Sequence, residues 1–408
     1  MGANIRFSSP PPANLSAGAR VTGRPERSFG RLRYTRARSF RGRRGRQVIQ
    51  TEARNAAEAE AVMPMPVELQ VPADDFQPPW WLRNRHLQSM LASVALRRGP
   101  IVRRAQPLLA AQRELLLDCG DEVRLQCWRS SASPGGPPVV VLHGWEGSAE
   151  SLYVLSLSQQ LYERGFDVFR LNLRDHGETH HLNSGLFHSC RLAEVCGALR
   201  AVRRLTGQPL SLVGFSLGGN FLLRAAAQAR SARLDLHSVV AVSPVLDPHE
   251  TLRALEEGFT GYARYFARKW WRSLRKKEAV WPQQYDLREL RGINNLRRLT
   301  DELIRRYTEF ETLDEYLLGY SITGERLAAL ETPSLVITSL DDPIIPAQGL
   351  RHLAGPARLR LLVTRHGGHC GFLDRLTGPT WAERRIVAEL TATAPRPAAT
   401  ETGTEEPA

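Results

Sequence analysis

One serine in this chain sits where serines become nucleophiles. Ser216 lies in Gly214-Phe215-Ser216-Leu217-Gly218, between an apolar strand-like run at 210–213 and a helical stretch at 221–229. A strand-to-helix turn this tight strains its central residue and leaves no room for side chains two positions either side, hence the glycines. A serine hydroxyl at its own pKa is a poor nucleophile and needs a histidine base and a carboxylate to orient that base, in the chain order Ser, Asp, His for a strand-turn-helix elbow. Both follow. In Leu340-Asp341-Asp342-Pro343-Ile344-Ile345-Pro346, directly after an apolar run at 334–339, one of the two aspartates, Asp342 or Asp341, is placed to be the acid. In Arg365-His366-Gly367-Gly368-His369-Cys370-Gly371-Phe372, the flanking Gly368 and Gly371 favour His369 as the base, with His366 in a supporting place.

Acyl transfer through such a serine puts negative charge on the former carbonyl oxygen, which two convergent backbone N–H groups stabilise by about 3 kcal/mol each. The Leu217 amide, next to the nucleophile, is the expected first donor. The second is expected at Trp145, in the His143-Gly144-Trp145-Glu146-Gly147-Ser148 bend. Asp175-His176-Gly177 invites a metal reading, but no partner stands at ligand spacing and a bracing role is expected.

The elements that must hold these groups read as follows. Runs at 114–118 and 123–128 form an antiparallel hairpin across Cys119, Gly120 and Asp121. From 139, strands at 139–142, 168–173, 210–213 and 239–242 alternate with helices at 149–163, 191–205 and 221–229, the pattern of a parallel sheet covered on both faces. The alternation stops at Pro248 and resumes at 334–339, with a last strand at 359–364 and a closing helix at 381–390. The intervening 249–333 reads as a helical insertion over the sheet edge, a lid. Within it Phe259, Tyr262, Phe266, Trp270 and Leu274 recur every three or four residues, one apolar stripe on a helix, with Arg264, Arg268, Arg272, Arg275 and Lys276 on other faces.

The composition fits a folded enzyme: 408 residues, 42% hydrophobic, 24% charged and no run of about 18 apolar residues. Five cysteines without CxxC spacing give neither a disulfide framework nor a zinc site, so a reducing, cytoplasmic setting is expected. The +13 charge is uneven. Residues 1–54 hold 13 Arg and two Glu, or +11, which leaves +2 for the remaining 354. An Arg-rich leader at 1–66 could neutralise nucleic acid or an anionic membrane, or resemble a transit peptide. Yet three lysines against 52 arginines point to codon bias acting on an unconstrained segment, and translation from Met63 or Met65 is an alternative. Nucleic acid is not an expected partner, whereas peripheral contact with a membrane surface suits a basic amphipathic helix with aromatic residues. Residues 393–408, rich in Pro, Ala, Thr and Glu, read as a disordered tail.

Together, the HGxxGS loop, Arg174-Asp175-His176-Gly177, Phe187-His188-Ser189, GFSLGGN, the acid loop, HGGHCGF and the entry segment Pro79–Gln88 resemble the YheT-like family, AB hydrolase 4, of the AB hydrolase superfamily over residues 70–392. The resemblance implies an α/β-hydrolase fold with a mostly parallel eight-stranded sheet, a Ser216, Asp342, His369 triad, and esterase or lipase activity on small-molecule or lipid acyl esters without metal or organic cofactor. Phe259, Tyr262, Phe266 and Trp270 would then line the acyl site. The alternative is an idle scaffold that binds a partner through its basic leader; a complete triad argues against it.

Overall fold

The computed structural model describes residues 76–393 apart from Ser93. The leader, the two alternative start methionines and the tail from 394 lie outside the described residues.

Eight strands form one sheet: β1 (Arg113–Asp118), β2 (Arg124–Ser131), β3 (Pro138–Leu142), β4 (Asp167–Leu171), β5 (Leu210–Phe215), β6 (Leu236–Val242), β7 (Ser334–Ser339) and β8 (Leu359–Thr364), in the order β1-β2-β4-β3-β5-β6-β7-β8. The β1–β2 and β2–β4 pairs are antiparallel and the rest parallel. The central strands β3, β4 and β5 are buried along their whole length because both faces are covered. On β3, Val140 and Leu142 pack to one side while Val139 and Val141 pack to the other, the two-residue period that a pleated strand imposes.

Helices α1 (Arg85–Leu91), α2 (Ala95–Arg104) and α3 (Gln106–Ala110) precede the sheet. The crossovers supply α4 (Leu152–Tyr162), α5 (Leu192–Thr206) and α6 (Leu217–Ala227), and the chain closes on α11 (Trp381–Thr393). The insertion carries α7 (Pro248–Glu257), α8 (Thr260–Val280), α9 (Leu296–Tyr307) and α10 (Leu313–Gly319). It has its own small core of Leu274, Tyr285, Leu287, Leu290, Leu299 and Leu303.

Asn84 caps α1, its Oδ1 accepting from the His86 and Leu87 amides. Three boundaries differ from the sequence reading. β2 runs on to Ser131 because its second half pairs with β4. α6 starts at Leu217 rather than at 221, so the glycines after the elbow belong to its first turn. Thr393 ends α11 instead of opening the tail.

Candidate active site

β5 ends at Phe215 and α6 begins at Leu217, so Ser216 alone makes the bend, with φ 52° and ψ −119°. Such a backbone costs a non-glycine residue on the order of 1–3 kcal/mol and persists only where its neighbours enforce it. They do so by proximity. A Cβ on Gly214 would come within 2.6 Å of the Gly218 carbonyl carbon, and one on Gly218 within 2.4 Å of the His143 oxygen.

The structure brings Ser216, Asp342 and His369 together. His369 Nε2 stands 3.0 Å from Ser216 Oγ, and its Nδ1 2.9 Å from Asp342 Oδ2. A carboxylate only accepts, so Nδ1 carries the proton and the Nε2 lone pair faces the serine hydroxyl. The other Asp342 oxygen accepts from the Ile344 and Ile345 amides at 2.8 and 2.9 Å. That turn, built by the Asp-Pro-Ile-Ile run, fixes the carboxylate in place. Burial disfavours the charged His369 imidazolium, but the adjacent Asp342 carboxylate outweighs it and holds the pKa well above the ordinary 6.5.

Asp341 and His366 form a neighbouring pair that does not reach the serine. Asp341 Oδ1 accepts from the Gly368 amide at 2.9 Å, and its Oδ2 lies 3.6 Å from His366 Nδ1. The pair braces the loop that carries His369.

The entry segment braces that loop from the other side, through two residues the sequence reading did not single out. The His369 amide donates to Ser89 Oγ at 2.8 Å. Buried Gln88 accepts from the Leu373 amide at 2.7 Å and donates to the Leu82 and Leu373 carbonyls. α1 packs so closely that a Cβ on Gly368 or Gly371 would lie 2.5 Å from the Arg85 or Gln88 carbonyl oxygen. The glycines around His369 are there to admit this helix.

The loop after β3 lies against the elbow: a Cβ on Gly144 would be 3.1 Å from that of Ser216. Trp145, on that loop, and Leu217, at the α6 N-terminus, both line a cavity of about 780 Å³ that also contains Ser216 and His369. Asp175 is elsewhere. Its carboxylate accepts from Lys277 Nζ and from the Phe187 amide, both at 2.8 Å, while Arg174 is held by Glu194 at 2.6 Å. The Asp-His-Gly loop is a brace between sheet and insertion. Among the described residues no three His, Cys, Asp or Glu side chains stand close enough to hold a metal ion.

The alpha/beta hydrolase fold family matches residues 137–376, more than half of the chain. The chain belongs to that family. YheT of Escherichia coli (strain K12) is 28% identical over 327 residues, which cover 78% of this chain and 93% of YheT, and places it in the YheT-like branch. The pimeloyl-(acyl-carrier protein) methyl ester esterase of Xylella fastidiosa (strain M12) is 28% identical over 264 residues, 62% of this chain and 96% of that protein. Among solved structures, the Pyrococcus furiosus esterase Pf2001 aligns with TM-score 0.47 and 15% identity, over 69% of this chain and 90% of its own. This is an esterase-like alpha/beta hydrolase.

The insertion of this hydrolase roofs the cavity. Phe266 stacks on Trp145 at 5.3 Å and 10°, and Trp270 meets the same indole edge-on at 5.2 Å. Tyr262 donates to or accepts from His86 Nδ1 at 3.1 Å, joining insertion to entry segment. Phe259 departs from the expected stripe. It precedes the first turn of α8 and is 51% exposed, because the helix starts at Thr260. It still lines the cavity, at its mouth. Among the described residues no helix is long and apolar enough to cross a membrane.

Proposed function

We propose that the protein is a serine carboxylic-ester hydrolase, of carboxylesterase or acylglycerol-lipase type, acting through an acyl-enzyme on short- to medium-chain lipophilic esters. What carries the reading is the unbroken hydrogen-bond line Asp342, His369, Ser216 at the floor of a largely apolar cavity. Ser216 Oγ attacks the ester carbonyl carbon while its proton passes to His369 Nε2, and Asp342 stabilises the resulting imidazolium. The oxyanion is held by the Trp145 and Leu217 amides, and the tetrahedral intermediate collapses as His369 returns the proton to the leaving alcohol. Water, activated by the same imidazole, then releases the acid and restores Ser216. The relatives named as esterases support a carboxylic ester as the bond cleaved.

The acyl chain lies under the insertion, against Leu252, Leu255, Phe266 and Trp270, which line the cavity. Burying one more methylene stabilises by about 0.8 kcal/mol, up to roughly fourfold in kcat/KM. For p-nitrophenyl esters, kcat/KM is expected to climb from acetate through butyrate to hexanoate or octanoate and then level off. Phe266→Ala with Trp270→Ala should flatten the climb more than it slows acetate. Equal loss at every chain length would rule out the insertion as the acyl site.

The mouth carries Met90, Phe259 and Tyr265, which line the cavity and are 42, 51 and 48% exposed. Exposed Arg264, Arg268 and Arg272 flank Tyr265 along α8, and none is in an ion pair with a described residue. We propose that this rim meets anionic lipid, each arginine near the surface adding about 1 kcal/mol. The same ester should turn over faster in phosphatidylglycerol vesicles than in phosphatidylcholine vesicles, with the difference shrinking as salt rises. Equal rates in both would remove the membrane contact from the proposal.

A further inference from the structure

In a chain of 52 arginines the three lysines all fall on α8, and each meets a loop at the carboxyl end of the sheet. Lys277 pairs with Asp175 and Lys276 with Glu178. Lys269 is different: among the described residues it has no carboxylate partner, and its Nζ donates to a backbone carbonyl, that of Glu146, at 2.8 Å. Its ammonium also lies over the Tyr265 ring, 5.2 Å from the centroid, and its charge opposes the burial that pushes the Glu146 carboxyl group up to about 7.

The Glu146 carbonyl shares a peptide plane with the Gly147 N–H, and in a trans peptide the two point in opposite directions. That N–H donates to the Gly144 carbonyl at 3.0 Å. The Gly144 carbonyl in turn shares its plane with the Trp145 N–H, which therefore points away from the turn. A second donor fixes the same carbonyl. The Leu173 amide donates to His143 Nε2 at 3.2 Å, so His143 carries its proton on Nδ1 and donates it to Gly144 O at 2.7 Å. Burial pulls the His143 pKa down to about 4, so this neutral tautomer persists at working pH. Glu146 itself has φ 55°, a conformation that a non-glycine residue keeps only when held.

We propose that Lys269 is a positioning residue of the oxyanion hole, aiming and polarising the Trp145 amide through two hydrogen-bonded peptides. The relay runs from Nζ to the Glu146 carbonyl, from the Gly147 N–H to the Gly144 carbonyl, and from the Trp145 N–H to the oxygen that gains charge. A cation at one end of such a chain strengthens every donor along it. Phe266 and Trp270, on either side of the Trp145 indole, hold the same loop from the same helix. The seating of α8 and the competence of the oxyanion hole are thereby coupled. The inference rests on the ester-hydrolase reading and adds a residue to it that does not touch the substrate.

The test compares Lys269→Met, Lys269→Gln and Lys269→Arg in the full-length protein, using p-nitrophenyl butyrate and an alkyl trifluoromethyl ketone, whose serine adduct carries a true oxyanion. Removing an oxyanion donor outright costs about 10²–10³ in kcat, and misaiming one costs less. For Lys269→Met we expect kcat to fall about tenfold, KM to stay within twofold, and ketone inhibition to weaken by the same factor as kcat. Lys269→Gln, which keeps a donor but not the charge, should fall between, and supplies the comparison if the Met variant does not fold. Lys269→Arg should recover to within about threefold of the wild type, since the guanidinium restores both charge and donor. A raised KM at unchanged kcat, a lowered kcat with undiminished ketone binding, or Arg and Met variants that behave alike would each overturn the proposal. A wild type that neither turns over esters nor binds the ketone overturns the ester-hydrolase reading as well; an active wild type with an unaltered Lys269→Met overturns this inference alone.

Discussion

Ser216→Ala is expected to lower kcat by on the order of 10⁶-fold and to abolish labelling by a fluorophosphonate probe, while leaving the fold intact. The substitution removes one atom, Oγ, whose hydrogen bond in the structure is to His369. Alanine carries the same backbone strain at φ 52° as serine, and the close approaches of Gly144, Gly214 and Gly218 are unchanged. Thermal unfolding should therefore sit near that of the wild type. Binding of an unreactive ester analogue should survive, because the cavity walls are untouched. An alanine variant that still labels, or that hydrolyses esters at the original rate, would mean that another residue attacks.

The second large effect separates two adjacent aspartates. Asp342→Asn should cost roughly 10⁴-fold in kcat, because the amide presents a donor where His369 Nδ1–H needs an acceptor and turns the imidazole to the wrong tautomer. Asp341→Asn should cost less than tenfold, since an amide oxygen can still accept from the Gly368 N–H. The pair also differs in pH dependence. Protonated His369 has no lone pair for the Ser216 proton, so wild-type kcat/KM must decline as pH falls through the histidine's pKa, which Asp342 raises above 6.5. In Asp341→Asn that acid limb should stay in place. In Asp342→Asn the opposing desolvation is left alone, and the limb of the residual activity should move to lower pH. An inactive Asp341→Asn beside an active Asp342→Asn would reverse the assignment of the acid.

Much of this site is legible in the sequence because it is local. The elbow needs glycines at fixed offsets, the acid sits immediately after an apolar strand, and the base lies in a glycine-rich turn after the last one; each is readable within about ten residues. What sequence reading missed is carried by contacts between distant segments. Gln88 and Ser89 hold the His369 loop from 280 residues away, and polar residues on a short helix give no hint of that. The stripe on α8 shows the same limit. Periodicity picks out its apolar members, yet Lys269 and Lys277 lie on the covered side among them and do their work through single atoms. Phe259 fits the period but not the helix, because nothing in the spacing says that the first turn begins one residue later.

One consequence concerns how substrates come and go. α8 is fastened to the body of the protein by Lys277, 1% exposed, which donates to Asp175, to Asn183 and to Gly185. With one buried ammonium held by three oxygens of the Asp175–Gly185 segment, the C-terminal half of the helix is pinned as a ceiling. Traffic must then pass end-on through the doorway framed by Met90, Phe259 and Tyr265 rather than under a lifted roof. Discrimination between linear and branched or bulky acyl groups would fall at that threshold and be felt in association and release rates.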